Sequence, residues 1–193
     1  MPRPPRLVVL VSGGGTTLQA ILDDPDLRSS VVAVGTDRPS CAGLQRAVTA
    51  GVPTFEVALA DHPDRAAWNR ALENMIADHD PDLVVLAGFM RLLDGGVVSR
   101  FRIVNTHPAL LPAFPGAHAL RDALAAGATA TGVTVHWVDD GMDTGPIIAQ
   151  TAVPIRSGDD EDTLRVRVQA AERPLYVATI TELCRELSRE TAL

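Results

Sequence analysis

Three stretches of this 193-residue chain hold side chains whose types and spacing could do chemistry. In Asn105-Thr106-His107-Pro108, followed by Leu111-Pro112, an amide and an imidazole lie two residues apart on a backbone that prolines stiffen. An asparagine amide can donate to a developing oxyanion and an imidazole titrates near neutral pH, so one could polarise a carbonyl while the other moves a proton. In Asp139-Asp140-Gly141-Met142-Asp143-Thr144-Gly145 three carboxylates crowd one loop. The spacing lacks the terminal glutamate of a calcium loop. Solvated acids in a hairpin suffice for Asp139 and Asp140, whereas Asp143 could turn inward and pair with a histidine, favouring its charged form. The third stretch, Gly13-Gly14-Gly15-Thr16-Thr17, stands between an apolar run and a helical pattern. A helix N-terminus after glycines presents free N–H groups to an anion. The third glycine of a dinucleotide fingerprint is absent, because Leu18 takes its place. A phosphate without a dinucleotide is the functional reading, and a simple tight turn is the alternative.

Composition narrows the field. With 24 acidic and 17 basic side chains the formal charge is −7, which argues against a general nucleic-acid or anionic-membrane binder. All the basic residues are arginine, so a Walker-A loop and a pyridoxal Schiff base, both of which need lysine, are excluded. Cys41 and Cys184 are far apart and form neither a metal-ligand pattern nor a disulfide framework; no metal is expected, and a reduced, cytoplasmic setting is. The apolar run after Met1-Pro-Arg-Pro-Pro is too short for a signal peptide or membrane span.

The elements that must position these residues alternate in type. Leu7–Val11 reads as a strand buried on both faces, followed by a helix over Thr17–Leu22. Further strands are expected at Val31–Val34, Thr54–Val57, Asp82–Ala87, Arg102–Asn105, Gly132–Val138 and Pro146–Val153. Helices are expected over 42–50, from Pro63 to before Pro81 with Trp68, Leu72, Met75 and Ile76 as core, over Asp94–Arg100 and over Ala117–Ala126. The segment Thr106–Pro115 carries three prolines and reads as rigid and irregular. Asp160–Glu190 reads as helix, kinked or divided at Pro174. His136 and Trp137 alternate on a strand, one inward and one outward, with packing the role for Trp137. His118 either lines the cleft or caps a helix, and His62 and His79 are expected at exposed helix ends. The whole is one α/β domain, residues 1–193.

Taken together, VVLVSGGGTTLQAI, DLVVLAGFMRLL, VNTHPALLPAFPGAHALRDAL, TGVTVHWVDDGMDTGPIIAQ and RVQAAERPLY make the chain similar to the glycinamide ribonucleotide formyltransferase family from Leu7 to about Tyr176. The resemblance implies a Rossmann-like formyltransferase fold: a mostly parallel twisted sheet with helices on both faces and antiparallel strands toward the C-terminal half. Residues 1 to about 100 would form the phosphate-binding half, and about 101–193 the catalytic and folate-binding half. It implies formyl transfer from 10-formyltetrahydrofolate, a co-substrate, to the amine of glycinamide ribonucleotide, with Asn105, His107 and Asp143 as the catalytic trio and no metal. Gly13, Gly14, Gly15, Thr16, Thr17, Gln169 and Glu172 match the ribonucleotide site. Arg65, Met90, Arg91, Leu92, Leu93, Asn105 and Asp139, Asp140, Gly141, Met142 and Asp143 match the folate site. The family loop commonly reads G-x-G-S-N, so Gly14, Thr16 and Thr17 depart from it; the chain also stops near the end of its last helix, where relatives continue for a short tail. No nucleic-acid or membrane partner is implied, and a homodimer stays open. A folate hydrolase is the enzymatic alternative, with water in place of the amine. A non-catalytic phosphate-binding module would leave Asn105, His107 and Asp143 unexplained.

Overall fold

A computed structural model describes residues 3–190. Five parallel strands come first: β1 (Leu7–Val11), β2 (Val31–Thr36), β3 (Thr54–Glu56), β4 (Leu83–Leu86) and β5 (Ile103–His107). Two antiparallel strands complete the sheet, β6 (Ala130–Trp137) and β7 (Ile147–Pro154). The order across the sheet is β3-β2-β1-β4-β5-β6-β7. The helices are α1 (Thr16–Asp23), α2 (Pro25–Ser30), α3 (Ala42–Thr49), α4 (Arg65–Ala77), α5 (Gly95–Arg100), α6 (Ala119–Ala125) and α7 (Glu161–Glu190).

Period-two alternation explains why β1 is apolar at every position. Leu7, Val9 and Val11 pack on one face with Leu18 and Ile21 of α1, Leu27 of α2 and Tyr176 and Ile180 of α7. Val8 and Leu10 pack on the other with Trp68, Leu72 and Ile76 of α4 and Val97 of α5. A sheet covered on both sides needs apolar side chains pointing both ways. A smaller cluster, with Leu120, Val133, Val153, Leu164 and Val168, fills the space beneath the antiparallel strands.

Helix α2 has a sequence signal that the strand-and-helix alternation obscures. Asp24 caps it, accepting from the N–H groups of Asp26 and Leu27, and Pro25 occupies the first turn. Three expectations are corrected. Strand β5 runs through Thr106 to His107, so His107 belongs to the sheet and the irregular segment begins at Pro108; a residue before proline is pushed into the extended region. Helix α7 continues for 30 residues through Pro174 without dividing. Pro174 and the residue one turn before it are both exposed, so the carbonyl that loses its N–H partner faces water. His62 and His79 are half-buried, and His79 stacks on Phe55 with ring centroids 5.4 Å apart.

Strand order reverses between β1 and β4. The loops leaving such a switch point diverge and open a crevice at the carboxyl ends of the strands. Residues 12–15 follow β1, 87–93 follow β4, and Asn105 and His107 end β5.

Candidate active site

The antiparallel pairing of β5 with β6 sets the centre of the site. Asn105 lies directly opposite His136, and His107 opposite Thr134. The Asn105 Nδ2 is 3.4 Å from His136 Nε2, while His136 Nδ1 is 2.8 Å from the carbonyl oxygen of Trp137. A carbonyl only accepts, so Nδ1 carries the hydrogen. In the neutral ring Nε2 then accepts from the Asn105 amide, which leaves that amide a second N–H for the cleft it lines.

His107 is fixed in the same way. Its Nε2 is 2.8 Å from the Phe114 carbonyl oxygen and donates to it, and its Nδ1 is 3.3 Å from Asp143 Oδ2. The same carboxylate places Oδ1 3.6 Å from His136 Nε2. It also accepts from the Gly116 amide at 2.8 Å. Both imidazoles are buried. The carboxyl of Asp143 is held below its usual range, first by its interaction with the His136 ring; burial opposes this, while the Gly116 amide and the neighbouring His107 reinforce it. Asp143 and Phe114 both adopt left-handed backbone, with φ of 57° and 53°. Such strain in non-glycine residues costs about 1–3 kcal/mol and gathers at functional sites.

The proline-rich segment after His107 is braced from β6. The Thr134 hydroxyl donates to the Ala109 carbonyl at 2.7 Å and accepts from the Leu111 amide at 3.0 Å and from Gln150 Nε2 at 2.8 Å.

Two clefts flank this cluster. One, of about 350 Å³, is lined by Gly13, Gly14, Gly15, Thr16 and Thr17 on one side and by Gln169 and Glu172 of α7 on another. Gly15 is left-handed at φ 68°, and a Cβ there would lie 2.4 Å from the Cα of Gly43, so the turn admits only glycine. The Thr17 hydroxyl donates to Glu172 at 3.0 Å, latching α1 to α7. Burial pushes the Glu172 carboxyl up, against the pull of Thr17 and Arg173. Thr106 also lines this cleft, and its buried hydroxyl has no partner among the described residues.

The second cleft, about 150 Å³, is lined by Arg91, Leu92, Leu93, Asn105, His136, Val138 and residues 139–143. Leu92 and Met142 are exposed at its edges, and residues of two loops line it, a slot whose mix of apolar and polar side chains fits a flat heterocycle with polar edges. Not every residue expected here lines it. Met90 borders the other cleft. Arg65 donates to the Leu92 carbonyl and lies 4.4 Å over the Trp68 ring, supporting the 90–93 segment rather than lining the cleft. Arg91 lines the cleft and also donates to the fully buried carboxylate of Asp37 at 2.7 Å. Asp37 in turn accepts from the Ser12 hydroxyl, and Ser12 accepts from the Met90 amide at 2.8 Å. This chain joins the loops after β1, β2 and β4.

Sequence reasoning missed Thr106, His136, Ser12 and Asp37. For His136 the only signal was strand alternation, which says that one of two neighbours faces inward and not which partner it meets. For Ser12 and Asp37 the signal was a polar residue at the end of each of two buried strands.

A family model described as formyl transferase matches residues 5–180, and the chain belongs to that family. Within it the likeness to phosphoribosylglycinamide formyltransferases covers nearly the whole chain. The protein of that name from Mycobacterium tuberculosis is 55% identical over 93% of this chain and 85% of its own. A glycinamide ribonucleotide transformylase from Symbiobacterium toebii superposes with a TM-score of 0.90 at 44% identity, over 95% of this chain and 89% of that one. A trifunctional purine biosynthetic protein of Drosophila melanogaster is 44% identical over 88% of this chain, which spans 13% of that much longer polypeptide.

Proposed function

We propose that this chain transfers a formyl group from 10-formyltetrahydrofolate to the amine of glycinamide ribonucleotide in purine biosynthesis. The observation that carries the reading is the linked cluster of Asn105, His136, Asp143 and His107 between two clefts, in a chain of the formyl transferase family. Family membership alone would not say which chemistry the site performs; the cluster supplies an amide donor, imidazoles and a carboxylate side by side.

The cleft beside Gly13–Thr17 takes the ribonucleotide, its phosphate against the N–H groups of the loop and the start of α1. Gln169 and Glu172 meet the rest of that molecule from α7. The cleft beside residues 91–93 and 139–143 takes the folate, which supplies an activated formyl carbon when bound. The substrate amine then reaches that carbon at the junction of the clefts.

Each side chain has a defined task there. The second N–H of the Asn105 amide donates to the oxygen on which negative charge develops, and His136 holds the amide in that orientation. Losing one such donor typically raises the barrier by about 3–4 kcal/mol. His107 brings positive charge beside the same oxygen. Its Nε2–H is committed to Phe114, so its exchangeable proton sits on Nδ1, facing Asp143. Asp143 stabilises that charge and organises the water through which the proton reaches the departing nitrogen.

The test is an assay of formate and deformylated folate with and without glycinamide ribonucleotide. Deformylated folate forming only with the amine, without formate, supports transfer. Formate released regardless of the amine would make the chain a hydrolase, and no turnover would make it a binding module. Metal chelators are expected to leave the rate unchanged.

A further inference from the structure

The ribonucleotide cleft as proposed has an electrostatic deficit. A phosphomonoester carries about −1.5 to −2 charges at neutral pH. The Gly13–Thr17 loop meets it with peptide N–H groups and the partial charge of a helix end, not with a full cation. The carboxylic side chain lining the cleft is Glu172, which adds no positive charge. Arg46 touches the loop but does not line the cleft: its Nε donates to the Gly14 carbonyl at 2.9 Å and its Nη1 to Gln19 at 3.0 Å, and it lines a different depression.

One cation does line the cleft. Arg165, Val168, Gln169 and Glu172 are spaced three, four and seven residues apart on α7, so they share one helix face, and all four border the cleft. Among the described residues lining it, Arg165 is the single basic one. Its guanidinium is paired with Glu161, one turn earlier on the same helix, with both side chains largely exposed. Exposed pairs of this kind contribute little, so the guanidinium can exchange partners at small cost. A phosphate offers a stronger, bidentate alternative for the planar fork.

From this we infer that Arg165 is the phosphate-recognising cation of the site, held by Glu161 when the cleft is empty and transferred to the phosphate of the bound ribonucleotide. It is a specificity-determining residue, distinguishing phosphorylated substrates from their nucleosides. The inference rests on the ribonucleotide reading of this cleft, and it also accounts for a loop that has Gly14 and Thr17 where more polar groups could have served.

Binding of ribose 5-phosphate, measured by calorimetry on the full chain, tests it independently of turnover. Arg165→Met should weaken binding about tenfold or more, Arg165→Lys should recover part of the loss, and Glu161→Gln should bind at least as tightly as the parent. In turnover, Arg165→Met should raise KM for glycinamide ribonucleotide with kcat within about twofold, and leave kcat/KM for the dephosphorylated riboside unchanged. Equal ribose 5-phosphate affinity in the parent and Arg165→Met, no binding by the parent, or equal losses on substrate and riboside would each overturn the assignment. Should Arg165→Met lose its fold, Arg165→Lys and Glu161→Gln carry the comparison. Phosphate-dependent binding without formyl transfer would uphold Arg165 and sink the reaction instead.

Discussion

The carboxylate of Asp143 bridges two imidazoles, its Oδ2 3.3 Å from Nδ1 of His107 and its Oδ1 3.6 Å from Nε2 of His136. It does so from left-handed backbone and with a backbone amide on the same oxygen that faces His107. The carboxylate that faces both rings is therefore itself held in place.

Replacement of His107 should expose that dependence first. His107→Ala should fold and lose formyl transfer by about 10²–10⁴-fold. Asp143→Asn keeps the shape and removes the charge, so the rate should fall and the pH–rate profile should move. An unchanged profile in Asp143→Asn would contradict the pairing.

His136→Leu tests the other half of the bridge through pH. A carboxyl whose folded-state pKa is depressed adds stability that is present above its unfolded pKa and lost as pH falls through the folded value. Without the His136 ring the Asp143 value moves up, toward the ordinary 3.8, and that added stability shrinks. The acid-unfolding midpoint, followed by circular dichroism, should therefore shift to higher pH. The Asn105 amide also loses its acceptor, so kcat should drop with little change in KM; wild-type kcat would refute the positioning role.

Glycines in the phosphate loop are not equivalent. A Cβ at Gly14 would meet no atom within 4 Å, so Gly14→Ser should leave the melting temperature near that of the parent. Gly15→Ala meets both left-handed backbone and the Gly43 Cα, and should destabilise by more than the roughly 1–2 kcal/mol of the backbone term alone. Thermal unfolding of the two variants makes the comparison.

Tyr176 fastens α7 to the strands that end in the site. Its hydroxyl lies 3.1 Å from the Leu86 carbonyl oxygen and 3.0 Å from that of Val104, and burial pushes its pKa well up. Tyr176→Phe should cost about 1 kcal/mol in urea unfolding. A neutral result would mean the contact contributes nothing net.

The two thiols should separate cleanly. Burial, aided by the negative charge of Asp82, pushes Cys184 up to about 11, whereas Cys41 is only half-buried. At pH 8 roughly a thousandth of Cys184 is thiolate. A disulfide reagent should titrate one thiol in the native protein and two after denaturation.

Much of the architecture could be read from residue order because it obeys local rules. Leu7–Val11 and Leu83–Leu86 announce doubly covered strands, and Asn105, His107 and Asp143 stand out because amide, imidazole and acid sit beside prolines and glycines. What escaped depends on register and on distant partners. His136 acquires meaning only when β6 runs antiparallel to β5 and sets it opposite Asn105. Ser12, Asp37 and Arg91 are ordinary polar residues until three strand ends converge. Pro174 does not divide α7, because a proline on the wet side of a helix forfeits one hydrogen bond and no packing.

The direction of the strands has an architectural consequence. Chemistry gathers where β1, β4 and β5 end, while Arg3, ahead of β1, pairs with Asp82 just before β4 begins, and Glu190, closing α7, pairs with Arg102 just before β5 begins. Arg3 and Glu190, the two ends of the described residues, thus share the floor of the sheet, with the reactive rim on the opposite side. A tether attached at either of these points would not cross the mouth of the site.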